Sequence, residues 1–378
     1  MKRLKFSLFL VFALLFLFST SLHAWVKPTA SEIALDNAIA DLTGLLRFSD
    51  LINPTPSSSA QEKTEFLEKN RIGKRYEPQF SYEPVSKKAM RAVARLKRVP
   101  APDGVYKDFL ENAREQLLKK VDILSARGSD GFSRLAKELY ALPSPKEIVQ
   151  ARNFIVKHGI VTKAKEKTLT DKDMANELET ALKEHGLSEW GVRISSKMSA
   201  SASVLPVSRT IKIREGVSFC TDDVVRLVHH EIGVHARRAE NGHSMPLKIF
   251  SSGLDGYLET EEGMAAINEE RHDIHEGLML FAFRVLAVDW ASRLSFSKVF
   301  ENLRKMGVEE LLAWNLTQRV KRGMTETGIA GCYPKDVSYF RGYLTIKKNL
   351  AGNGDWEALM RFGKVSIEHV PALLKLEN

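Results

Sequence analysis

The stretch Val228-His229-His230-Glu231-Ile232-Gly233-Val234-His235 puts imidazoles and a carboxylate on one short segment of chain. Imidazole is the usual zinc ligand, and a glutamate beside it can take a proton from metal-bound water. Those are the minimum parts for hydrolysis. The common zinc-protease signature H-E-x-x-H sets its histidines four residues apart, whereas His230 and His235 are five apart. At about 100° per residue, five steps swing the second side chain about 140° from the first, so a regular α-helix would splay the two rings. Gly233 lies between them and can let the turn widen into a π-type bulge, a distortion frequent at functional sites. The spacing therefore predicts a local break in helix geometry. His229 with His235, six apart, points further apart still. On spacing alone, a metal site and a helix face carrying ordinary histidines are equally good readings.

The balance moves with the next segment, Leu258-Glu259-Thr260-Glu261-Glu262-Gly263-Met264-Ala265. The pair of motifs resembles a family of bacterial and eukaryotic zinc metallopeptidases marked by H-E-I-G-x-H followed by Q-E-G-L-A, which includes the tyrosine carboxypeptidases that act on tubulin. Glu261 stands here where Gln is commoner, and Met264 where Leu is; neither change removes a ligand. The resemblance implies one zinc ion per chain, held by His230, His235 and Glu262, with Glu231 as the catalytic carboxylate. It also extends to Arg322-Gly323 and to Tyr333-Pro334-Lys335-Asp336, before a helix carrying Tyr339 and Arg341. A carboxypeptidase needs a fixed cation for the substrate's terminal carboxylate, and arginine offers a two-pronged bond. Arg322, Lys335 and Arg341 are the candidates, and Tyr339 is a candidate lining for an aromatic side chain; each also reads as a surface charge or a packing residue. His243, His272 and His275 are rival ligands that the resemblance does not use.

The elements that must position these groups follow from periodicity. Helices are predicted over 106–121, 132–140, 146–157 and 173–185. The period then changes to two at Trp190–Ser195 and Arg209–Ile213, with the small residues Ser199 to Ser203 as a spacer. That is a short sheet beside the metal-bearing helix, where an edge strand could hold extended substrate by backbone pairing, by analogy with zinc peptidases. Thr221, Asp222 and Asp223 start the motif helix and Asn241-Gly242 ends it. Thr260 is expected to cap the next helix, with Glu262 in its first turn. The apolar run Leu278 to Trp290 reads as a core helix, interrupted by Arg284 and Asp289, and helices follow over 296–305 and 309–321.

Length and composition suit a globular chain with a large core: 378 residues, 44% hydrophobic and 27% charged. Residues 1–24 read as a secretory signal, with Lys2, Arg3 and Lys5 before an apolar run too short for a span of roughly 20 residues. The expected location is periplasmic or secreted, with an inner-membrane anchor if the leader is kept. Removing those three basic residues takes the formal charge from +9 to +6. No helix-turn-helix, zinc-finger or RNA-binding pattern accompanies this charge, so nucleic acid is not an expected partner. Cys220 and Cys332 could pair in an oxidising compartment or remain buried thiols.

The sequence reading is thus an α+β, mainly helical fold: a signal peptide at 1–24, a helical region at 25–104, a zinc-metallopeptidase-like domain at 105–350 and a helical tail at 351–378. The expected activity is metallocarboxypeptidase hydrolysis of a peptide or protein C-terminus, with Tyr or Phe as the residue removed. A zinc endopeptidase of the envelope and a non-catalytic interaction protein on the same scaffold are the alternatives.

Overall fold

A computed structural model describes residues 25–46, 54–159, 166–196, 198 and 200–377. The leader-like residues 1–24 lie outside that range, as do part of the linker around Asn53 and part of the connection at 163–167. The described chain is mainly helical with one small mixed sheet, the α+β class its periodicity predicts.

Its centre is the helix Glu276–Ala291, in which Leu278, Ala282, Val285, Leu286, Ala287 and Val288 are all fully buried. A helix that is apolar around most of its surface must be covered there. The covering elements are Pro145–His158, Glu310–Lys321 and Val337–Ala351. Burying each large aliphatic side chain there contributes about 1.5–3 kcal/mol. Among the described residues no helix is long and apolar enough to cross a membrane.

The N-terminal helices Ala30–Leu45, Lys87–Leu96 and Lys107–Ser125 form a second core with Phe250, Leu254, Phe362, Val365 and Leu373. Both ends of the described chain meet in it, through a bridge between Trp25 and Glu377. Asp36 adds a polar tie: its carboxylate accepts from the Lys248 and Ile249 amides, each at 2.9 Å. The first described helix thereby fixes the chain just after the motif helix.

The sheet has three strands: β1 (Gly191–Ser195), β2 (Ala202–Leu205) and β3 (Thr210–Arg214), in the order β1-β3-β2. Two of them are the strands expected from the period of two. The third, β2, grows out of the end of the predicted small-residue spacer and pairs antiparallel with β3, while β1 runs parallel to β3. The sheet packs behind the motif helix, with Ile211 and Ile213 against Ile232, Ala236 and Ala239. Because the Arg214 amide donates to the Ser201 carbonyl, the alternation of an antiparallel ladder turns the backbone groups of Ala202 and Val204 away from β3. Cys220 and Cys332 are both buried free thiols.

Helix Tyr257–Glu270 crosses Val337–Ala351 at backbone contact. A Cβ on Gly342 would overlap the Glu259 carbonyl, and one on Gly263 would overlap the Gly342 carbonyl. We expect Gly342→Ala to destabilise the fold by about 3 kcal/mol through overpacking. Gly352→Ala, which meets ordinary contacts at 3.5 Å or more, should leave the thermal midpoint almost unchanged. Melting curves of both proteins check the pair, and an undisturbed Gly342→Ala would refute the close crossing.

Candidate metal centre and active-site cleft

The motif helix is three segments in one: α-helical Thr221–Leu227, π-helical Val228–Ala236 and α-helical Arg237–His243. A π-helix bonds residue i to i+5, so side chains five apart come onto one face. His230 and His235 accordingly stand with ring centroids 4.6 Å apart and planes at 90°. Gly233 serves the widened turn through space. Asn268 of the next helix packs where a Cβ would be, 2.8 Å away, and its amide donates to the His229 carbonyl at 2.8 Å. A carbonyl in the distorted turn is thus satisfied from the neighbouring helix.

That helix begins at Tyr257, after Gly256 in a left-handed conformation (φ 65°), rather than at Thr260. Thr260 lies inside it and its hydroxyl accepts from the Ile367 amide at 2.9 Å. Glu262 therefore sits one turn further in than its sequence suggests, facing the histidines. Its Oε2 is 3.6 Å from His230 Nε2 and 3.8 Å from His235 Nε2. One donor atom from each of the three residues lies within 4.8 Å of the others, and all three side chains are buried.

The far side of each imidazole is also held. His230 Nδ1 pairs with Glu269 at 2.7 Å, and His235 Nδ1 pairs with Glu261 at 3.0 Å. Such carboxylates fix the tautomer in which Nε2 carries a free lone pair. Burial alone would favour neutral His230, yet the neighbouring carboxylates of Glu262 and Glu269 raise its pKa to about 10. The pocket therefore favours positive charge at this point. Burial would raise the Glu261 pKa as well, but Lys364 and Arg238 hold it far below the ordinary range, and both cations contact its carboxylate. Buried Glu262 Oε2 has no hydrogen-bond partner among the described residues. Two imidazoles and a carboxylate with an orphaned oxygen form a donor set that suits a divalent metal ion.

These groups open on a cleft that Glu231 also lines. Ala202, Ser203 and Val204 of the β2 edge form another part of its wall, and Tyr257, Phe281 and Tyr339 give it an aromatic face. The rival histidines lie elsewhere. His272 stacks on His229 at 3.5 Å, His275 meets His158 at 4.8 Å, and His243 bonds the Pro206 carbonyl.

Of the cations singled out in the sequence, none lines this cleft. Arg341 binds Glu147 at 2.6 Å, with the Tyr140 and Leu142 carbonyls as further acceptors. Lys335 is fully buried and donates to the Tyr339 hydroxyl at 2.7 Å; burial holds its amine well below the usual lysine range, against the pull of Asp336. Arg322 donates to Asp336 at 3.1 Å and lies over the Tyr333 ring. Asp336 also takes both prongs of Arg319, at 2.6 and 3.0 Å. Sequence reasoning missed Glu269, Arg238, Lys364, Arg284 and Arg319. Glu269 had a signal, since seven residues from Glu262 returns to the same helix face; Arg238 follows His235 by three residues on the motif helix, and Lys364, Arg284 and Arg319 come from other parts of the chain.

Asp336 is fully buried, and although burial would raise its pKa, Arg319 and Arg322 hold it far below the ordinary carboxylate range. As pH falls through that ordinary range the unfolded chain takes up a proton that the folded chain refuses. The contribution of Asp336 is thus present above the usual value and is lost progressively below it. Asp336→Asn should cost about 3–5 kcal/mol, because it strands buried guanidinium groups, and should flatten the acid limb of stability against pH. Denaturant unfolding at a series of pH values checks both, and an unchanged acid limb would refute the role.

Residues 64–378 match the family described as microtubule-associated tyrosine carboxypeptidase, a stretch that begins before and ends after the 105–350 region expected from the sequence. Microtubule-associated tyrosine carboxypeptidase 1 of Rattus norvegicus is 25% identical over 340 residues, covering 85% of this chain and 61% of the relative. Its Mus musculus counterpart is 25% identical over the same length, covering 85% and 62%. Putative tyrosine carboxypeptidase MATCAP2 of Mus musculus is 29% identical over 200 residues, covering 52% and 38%. The chain spans about three fifths of the length of the first two relatives. With a match across most of its length and both motifs converging in one cleft, the chain belongs to the microtubule-associated tyrosine carboxypeptidase family.

Proposed function

We propose that this chain is a zinc-dependent carboxypeptidase that removes one residue, Tyr or Phe by preference, from the C-terminus of a peptide or protein. The observation that carries the reading is the meeting of His230, His235 and Glu262 on a cleft that also holds Glu231. His230, His235 and Glu262 would hold the ion, which when bound polarises the scissile carbonyl and brings the pKa of a water toward neutrality.

The rest falls to the protein. Glu231 follows His230 in the chain and makes no hydrogen bond or ion pair among the described residues, so its carboxylate is available. It takes the proton of the attacking water and passes it to the leaving amine. Glu269 and Glu261 keep the two imidazoles oriented throughout. The outward backbone groups of Ala202 and Val204 suit an extended substrate strand laid along β2. Phe281 and Tyr339, 4.9 Å apart, offer an aromatic wall for the departing side chain. The names of the relatives support the same choice of residue. We place the substrate in the cell envelope because of the leader-like residues 1–24, which carries the chemistry of the relatives to this chain without their microtubule partner.

The test incubates the protein with peptides ending in Tyr, Phe, Ala or Lys and reads products by mass. Wild type should remove a single residue, fastest from the aromatic peptides. Chelation should abolish the reaction, and zinc should restore it at about one ion per chain. Glu231→Gln should bind zinc normally yet cut kcat by about 1000-fold. Shortening of no peptide by the zinc-loaded wild type would sink the reading.

A further inference from the structure

We propose that Arg284 recognises the free α-carboxylate of the departing residue, and so makes the enzyme an exopeptidase; this rests on the carboxypeptidase reading above. Among the described residues, the other cations near the site are already engaged. Arg322 and Arg319 share Asp336, Lys335 is bonded to Tyr339, and Arg341 is held by Glu147. Lys364 contacts Glu261, and Arg226 stands 3.7 Å from Asp223.

Among the described residues, Arg284 combines three features. It lines the same cleft as His230, Glu231 and Glu262. No hydrogen bond or ion pair joins it to any described residue, and its Nε is buried without a partner. It is held only by ring faces, with its guanidinium carbon 4.7 Å from the Tyr339 centroid and 5.1 Å from that of Phe281. Aromatic faces fix the plane of a guanidinium and leave its donor edge open.

The charge balance around it points the same way. Arg284, Arg319, Arg322 and Lys335 act on one buried carboxylate, Asp336, and Arg319 occupies both of its oxygens. Burial lowers the Arg284 pKa to about 10. A largely desolvated cation with no directly paired carboxylate is costly, and a carboxylate brought by substrate supplies that partner with matching two-pronged geometry. The aromatic wall that orients Arg284 is also the surface against which an aromatic terminal side chain would pack, so one set of rings serves both the anchor and the side-chain preference.

The experiment uses the full chain supplied with zinc, and two readouts. The first is kcat/KM on a peptide ending in Phe and on its C-terminal amide. The second is calorimetric binding of N-acetylphenylalanine and of N-acetylphenylalaninamide, which does not depend on turnover. Wild type should favour the acid in both, and Arg284→Gln should lose about 100-fold on the acid and nothing on the amide. Arg284→Lys keeps the charge without the fork, should fall by about 10-fold on the acid, and carries the test if the glutamine variant does not fold. An acid preference that survives Arg284→Gln, or wild type that binds acid and amide equally, overturns the assignment. Wild type that binds the acid preferentially but shortens neither peptide leaves Arg284 as a carboxylate site and removes the carboxypeptidase reading instead.

Discussion

The structure depends on one constraint: two imidazoles five residues apart must meet a carboxylate from another helix at a single point. An α-helix cannot present them together, so nine residues, Val228–Ala236, follow a π path that is less well bonded than its α flanks. The neighbouring helix makes the distortion tolerable. Asn268 satisfies a carbonyl of the widened turn, and Glu269 and Glu261 hold the outer nitrogens of the two rings. Each of these three contacts comes from Tyr257–Glu270, the helix that also delivers Glu262.

That helix is positioned in turn by its own crossing. Gly263 and Gly342 let two backbones touch, which leaves little freedom in rotation or slide. A shift of even one residue would carry Glu262 off the face that meets the histidines. The buried ionic layer is poor material for stability, since desolvating three glutamates costs more than their pairs return in a well-packed apolar site. Its value lies in fixing tautomers and ring directions. The replacement of the commoner Gln by Glu261 fits this account, because the added charge is met by Arg238 and Lys364, two cations drawn from the motif helix and the C-terminal segment.

A second charged layer lies beside the first with the opposite sign. Around Asp336 the cations outnumber the carboxylates, whereas around His230 the carboxylates predominate. Such a division across one cleft gives an anionic end suited to a metal ion and a cationic end suited to a carboxylate. The N-terminal helices join this arrangement from behind. Through Asp36 they pin the turn that follows the motif helix.

The helices around the core were legible because buried apolar positions recur at a fixed helical period, as at Glu276–Ala291 and Phe296–Lys305. The break in the motif helix was legible too, from a five-residue spacing that no α-helix can bring to one face. The glutamate before Gly263 and the histidine pair are local patterns, and sequence alone places them on adjacent helices. What it could not place was the start of the second helix, because a left-handed Gly256 opens it instead of the side-chain cap that Thr260 seems to offer. Nor could it find β2, whose pairing is set by β3 and not by its own small residues. Above all, a lone arginine in an apolar helix looks the same in sequence whether it is paired or free. Arg322, Lys335 and Arg341 found partners in Asp336, Tyr339 and Glu147 while Arg284 found none among the described residues, and that assignment is decided by which groups the tertiary fold buries side by side.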